Sequence, residues 1–222
     1  MKPRLLKVNI NGKVIAFHGI PKNGGSTVRA YMFIAAGIQP DDAYFNIELG
    51  RKFKEDPQLR IKHDKIRTAQ HNIIKAPQDA LADYTFCVIR NPYKRFVSTY
   101  TNRIVYHKMS NITFDEFVEK RARYKGDIAF HIAPQCSFIG TSHNIYDYVF
   151  TNNQIDSHIK PWLEHLSGIE IPSLRKQTGG SNLKDKYILS DAQKKIVYER
   201  YNDDFVYWWD NEEVRKPWIP QQ

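Results

Sequence analysis

The sequence predicts an α/β fold: a central, mostly parallel sheet with helices on both faces. Three observations predict it. A β-prone run at residues 14–17 feeds a glycine-rich loop at 19–27, and a helical pattern follows. YTFCVIR, residues 84–90, is a continuous apolar run ending in a charge, as a buried parallel strand reads, and NPYKRFVSTYTNRIVY continues it as a helix. IYDYVFT at 145–151 repeats the pattern before QIDSHIKPWLEHL. Strands that alternate with helices are the pattern of parallel strands joined by helical crossovers.

LKVNINGKVIAFHG reads as a hairpin, because Asn11-Gly12 is a strong two-residue turn between β-prone runs. In STVRAYMFIAAG, Val28, Met32 and Ala35 recur at helical spacing, and Gly37 suits the C-terminal cap. Residues 38–64 are polar and carry no clear period, and KIRTAQHNII from Lys65 reads as a short strand. Asn91 suits a helix N-cap and Pro92 the first helical position, with Phe96, Tyr100 and Ile104 as the apolar stripe. Pro161 is expected to break or kink its helix. Ser190 and Gln193 have capping-box spacing and open a helix through Tyr201.

The chain has 222 residues and 41% hydrophobic side chains, which suits one domain over 1–222 with a substantial core. No apolar run is long enough to span a membrane. MKPRLLKVNINGK lacks the apolar segment of a secretory leader. Cys87 and Cys136 form no C-x-x-C pair, so a reduced, cytoplasmic setting is expected. The formal net charge of +9 favours anionic partners. That charge is spread along the chain, which argues against a nucleic-acid-binding arm. The eight histidines show no metal-ligand spacing, so no metal is expected.

GIPKNGGST, residues 19–27, nearly matches the phosphate-loop pattern G-x-x-x-x-G-K-[ST]. Gly19, Gly24 and Ser26 are in place, but Gly25 stands where the lysine belongs, and the lysine lies inside the loop as Lys22. Glycines let backbone N–H groups turn towards an anion, and the following helix adds its positive end. Without a lysine at 25 to reach a γ-phosphate, a ligand with one phosphate here and a transferable group fits better than ATP. A second segment, RNPYKRFVS, places Arg90 at a strand end and Ser98 in the second turn of the next helix, away from the apolar stripe. A guanidinium and a hydroxyl there suit a second phosphate.

These segments resemble the sulfotransferases that use 3′-phosphoadenosine 5′-phosphosulfate (PAPS), whose fold is a P-loop-type three-layer α/β domain. IPKNGGST resembles their 5′-phosphosulfate loop. VIRNPYKRFVSTY resembles their 3′-phosphate segment, R-[DN]-P-y-x-R-x-x-S, at Arg90, Pro92, Arg95 and Ser98. HIAPQ, residues 131–135, resembles an H-x-x-P-Q piece of the carbohydrate branch, and YILSDAQKKIVYERYNDDFVYW resembles the C-terminal helix that closes the domain.

The resemblance implies sulfuryl transfer from PAPS, without a metal, to a hydroxyl or amine, with HIAPQ leaning towards a glycan or glycolipid. It implies that Lys22 neutralises charge on the oxygen bridging sulfate and 5′-phosphate. It also implies that the backbone of Asn23, Gly24, Gly25, Ser26 and Thr27 holds the 5′-phosphate, with the two hydroxyls helping. Arg90 and Ser98 would hold the 3′-phosphate, and Arg175 and Lys176 in RKQTGG would form a basic flap over it. By position between the two segments, His71 is the candidate general base, with His18 and Glu48 as alternatives. His131 is expected on the acceptor side or as a support of the fold. Trp162, Trp208 and Trp209 are read as core before sugar platforms. Two other classes stay open: a P-loop nucleotide or sugar kinase, and a non-catalytic anion- or nucleic-acid-binding module.

Overall fold

A computed structural model describes residues 4–38, 81–119, 124–174 and 181–219. Strands β1 (Arg4–Ile10) and β2 (Lys13–Gly19) form an antiparallel hairpin. Its turn takes φ of 50° at Asn11 and 81° at Gly12, both in the left-handed region that such a turn demands. Helix α1 (Gly25–Ala35) follows β2. Gly37, with φ of 89°, ends it as expected: its N–H donates to Ile34 O, and the N–H of Ile38 reaches back to Phe33 O. β3 (Tyr84–Ile89) pairs parallel with β2, in a register that sets Phe17 beside Phe86.

After β3 comes α2 (Pro92–Thr99), which widens into a π-type winding over Tyr100–Tyr106. Asn91 caps α2 by accepting from the Lys94 N–H at 3.1 Å. Three short helices follow: α3 (Phe114–Glu119), α4 (Gly126–Ile132) and α5 (Cys136–Ile139). β4 (Tyr148–Thr151) then pairs parallel with β3, so the sheet order is β1-β2-β3-β4. A π-type stretch, Ile155–Ile159, leads into α6 (Lys160–Ser167). Pro161 sits in the first turn of α6, where the winding changes and its missing N–H costs least. α7 (Asp191–Arg200) opens on the expected box: the Gln193 N–H donates to Ser190 Oγ at 3.3 Å, and the Ser190 N–H donates to Gln193 Oε1 at 3.0 Å.

Alternation along β3 decides the layers. Phe86 and Val88 face α1 and α6, with Val28, Met32, Ala35, Trp162 and Leu163 in one cluster. Cys87 and Ile89 face the opposite way, into a cluster with Phe138, Ile139, Val149 and Trp208. Helices therefore cover both faces of the sheet, as the sequence predicts. Trp162 and Trp208 are core residues, and Trp209 is half-buried against the Arg215 guanidinium.

β4 is shorter than predicted. Ile145 is 58% exposed, and strand pairing starts only at Tyr148. Asp147 occupies the last position before it: its N–H donates to Thr85 O, and its Oδ2 accepts from the Thr85 N–H. The strand read at 65–74 lies outside the described residues.

Candidate functional site

β2 and β3 run parallel, so their carboxyl ends open on one edge of the sheet, where ligands of such sheets bind. The loop after β2 reverses with Lys22 at φ 70° and Gly24 at φ 84°. Gly24 is favoured by its φ, which strains any side chain, and a Cβ there would lie 2.3 Å from Ile155 Cδ1, so that the Ile155 tip would have to move aside. Between them Asn23 points inwards, 1% exposed. Its Nδ2 donates to Val88 O and to Gln135 Oε1, each at 2.7 Å, which ties the loop to the end of β3. α1 then begins with no side-chain cap and no acidic residue in its first turn. Its first N–H groups thus keep their partial positive charge for something outside the helix. Ser26 and Thr27 are half-buried in that turn, and Ser26 Oγ accepts from Arg29 at 3.5 Å.

Arg90 leaves the end of β3 towards the same loop. Its Nη1 donates to Lys22 O at 2.7 Å, so the arginine and the lysine segment are in direct contact. Among the described residues no carboxylate pairs with it, and its Nε is buried without a partner. Burial, and then the neighbouring Arg95 charge, push its guanidinium down to about 10, so it remains a cation at neutral pH. Asn23 Oδ1 is likewise buried and unpartnered among the described residues. A partly buried cation with spare donors beside an uncapped helix start fits an anionic ligand. Ser98 lies on α2 and is only 4% exposed, so its place away from the apolar stripe does not leave it in solvent.

Beneath these residues lies a network that charge and spacing alone do not reveal. Arg95 is 1% exposed; its Nε donates to Pro21 O at 3.0 Å and its Nη2 to His131 O at 3.2 Å. Gln135 is fully buried and bonds both Asn23 and the Arg90 backbone. Asp204 accepts the N–H groups of Gln135 at 2.7 Å and Cys136 at 2.8 Å. Tyr201 OH donates to Ile132 O. The C-terminal segment thus fastens the HIAPQ turn in place. Arg95 and Gln135 stand in the quoted motifs and Asp204 in the quoted C-terminal segment, but nothing in the sequence tells which atoms they hold.

Two predicted histidines are visible. His131 is 6% exposed; its Nδ1 lies 2.7 Å from Asp127 O, which can only accept, so Nδ1 carries the proton and Nε2 faces the Arg103 guanidinium. Arg103 in turn pairs with Asp127 at 2.9 Å. Burial first, with the Arg103 and Lys22 charges adding, pulls the imidazole down to about 4. A neutral histidine whose free lone pair is already engaged fits a supporting role better than that of a base. His18 is half-buried, bonded to Tyr146 OH at 2.9 Å, and burial lowers its pKa. The structure brings Lys22, Asn23, Gly24, Gly25, Ser26, Thr27 and Arg90 to one edge of the sheet. His71, Glu48, Arg175 and Lys176 lie outside the described residues.

Among the described residues no helix is long and apolar enough to cross a membrane, and no three His, Cys, Asp or Glu side chains converge as a metal site would need. A family model described as "Sulfotransferase family" matches residues 9–208. No curated protein and no solved structure matches the chain.

Proposed function

The chain belongs to the sulfotransferase family, and on that premise we propose that it transfers a sulfuryl group from PAPS to a hydroxyl or amine of a carbohydrate or glycolipid. The observation that carries the donor assignment is Arg90: a partly buried guanidinium in contact with Lys22 O, with no carboxylate partner among the described residues. A 3′-phosphate supplies the anion that such a group lacks. The loop supports the other end, since the uncapped start of α1 and Lys22 together suit a 5′-phosphosulfate.

In this reading the acceptor oxygen or nitrogen attacks sulfur while the bond from sulfur to the 5′-phosphate oxygen breaks, and adenosine 3′,5′-bisphosphate leaves. Lys22 faces the charge that grows on the departing oxygen, and the amides of residues 23–27 hold the phosphate, so positioning and charge stabilisation carry the rate. Arg90 and Ser98 take the 3′-phosphate, with Arg175 and Lys176 closing over it. His71 removes the acceptor proton, and His18 and Glu48 are the alternatives to test beside it. The carbohydrate class rests on the HIAPQ segment. A reduced, cytoplasmic setting is supported by Cys87 and Cys136, both free thiols. The whole of 1–222 acts as one sulfotransferase domain.

Calorimetric titration with adenosine 3′,5′-bisphosphate, AMP and ATP tests the donor assignment. Tight binding that needs the 3′-phosphate and collapses in Arg90→Ala is expected. A preference for ATP with Mg²⁺ would return the kinase reading to first place. An acceptor screen with radiolabelled PAPS, on wild type and on His71→Ala, tests the rest: sulfation of phenols in preference to glycans would sink the carbohydrate assignment.

A further inference from the structure

We infer that Gln135 is a positioning residue: its carboxamide holds the Arg90 strand end and the 19–27 loop in one register, so that both phosphates of a nucleotide are gripped together. This rests on the donor assignment above and concerns a residue given no role there.

The geometry is specific. Gln135 is fully buried in the turn between α4 and α5. Its Oε1 accepts from the Arg90 N–H at 3.0 Å and from Asn23 Nδ2 at 2.7 Å. Its Nε2 donates to Arg90 O at 2.9 Å. β3 stops pairing at Ile89, where it faces Thr151, so the Arg90 peptide groups have no strand neighbour. The carboxamide takes that neighbour's place, offering one acceptor and one donor as a peptide would. Its orientation is settled by the partners: the reverse flip would set its NH₂ against two donors and its oxygen against a carbonyl.

Asn23 extends the clamp, because its second Nδ2 hydrogen goes to Val88 O on β3 itself. Asp204 fixes the clamp from behind, through the Gln135 N–H at 2.7 Å. One side chain therefore touches both phosphate segments by hydrogen bonds, while its own backbone is anchored to a third part of the chain. A shift of Arg90 relative to the loop breaks a buried bond at Gln135, and buried unmade bonds are costly.

The test uses the full chain as wild type, Gln135→Met and Gln135→Glu. Methionine keeps the length and removes the bonds. Glutamic acid, when protonated, restores both: its O–H donates to Arg90 O and its carbonyl accepts; ionised, it sets an anion against that carbonyl. Two readouts are taken. One is the ratio of affinities for adenosine 3′,5′-bisphosphate and AMP. The other is hydrogen exchange at the Arg90 amide.

The expected result is a ratio reduced about tenfold in Gln135→Met, an AMP affinity changed less than about threefold, and a faster-exchanging Arg90 amide. In Gln135→Glu the ratio, taken relative to wild type at each pH, recovers as the pH falls. That variant keeps the test intact if Gln135→Met fails to fold. Equal weakening of both nucleotides would overturn the assignment, because a general loss of structure spares neither end. An Arg90 amide that stays protected in Gln135→Met would overturn it alone. A wild type with no preference for the bisphosphate would overturn the donor reading and this assignment with it.

Discussion

Arg90 and Arg95 leave the same strand–helix junction and meet opposite surroundings. Arg95 is 1% exposed and donates to two main-chain carbonyls, Pro21 O and His131 O, under the influence of Tyr201 and Asp204. Arg90 spends a single side-chain bond on Lys22 O and keeps a buried Nε without a partner among the described residues. The difference teaches how to read a buried cation. Donors committed to carbonyls that have few other partners make an arginine part of the fold, whereas spare donors at a strand end make one available to an anion.

The largest effect that would break this contrast is on stability. Arg95→Ala leaves Pro21 O without that donor and opens a void beside α2; it is expected to cost about 3 kcal/mol in a denaturant titration. His131 O is less affected, because Thr99 Oγ1 also donates to it at 3.1 Å. A variant as stable as wild type but unable to bind nucleotide would reverse the roles assigned to the two arginines.

Arg90→Ala should do the converse. One hydrogen bond is lost, about 1 kcal/mol, while affinity for adenosine 3′,5′-bisphosphate falls roughly tenfold to a hundredfold, as loss of a charged hydrogen bond worth about 1.5–3 kcal/mol implies. Paired melting and calorimetry would show it, and an unchanged affinity would place the anion elsewhere. Asn91 lies between the arginines and caps α2. Asn91→Ala is expected to cost about 1 kcal/mol and to leave the preference for the bisphosphate in place. A large loss of that preference would mean that the α2 start itself contacts the ligand.

The last effect is a slope with pH. His131, whose carbonyl receives Arg95, has its folded-state pKa lowered from 6.5 to about 4. Its contribution is fully present above about 6.5. As pH falls from there towards 4 the unfolded chain takes up a proton that the folded chain refuses, so stability declines and then levels off. Urea midpoints at neutral and mildly acid pH should show the decline, and His131→Gln should flatten it. A decline of the same steepness in His131→Gln would assign it to other groups, His18 first, since burial lowers its pKa too.

Much of this was legible beforehand for physical reasons that are local. The hairpin followed from Asn11-Gly12, α2 from Asn91-Pro92, and α7 from Ser190 and Gln193, because turns and caps depend on neighbours within a few residues. β3 was legible because burial on both faces forces an unbroken apolar run. β4 was read too long, since apolar letters at Ile145 and Tyr146 do not reveal that pairing starts only at Tyr148. Ser98 was legible as a motif letter but not as a buried residue.

The sequence by itself determined the strand–loop–helix order, the displaced lysine at 22, the two segments that carry the family's pattern and a net charge of +9 suited to anions. These are properties of short stretches or of composition, and they need no knowledge of the distant chain. Only the tertiary structure decided which arginine is spent and which is spare, that Asn23 points inwards, and that Gln135 and Asp204 reach the strand end from far along the chain. Hydrogen-bond satisfaction is the reason. A donor's role depends on which acceptors lie within about 3 Å of it, and that is settled by packing between elements distant in sequence.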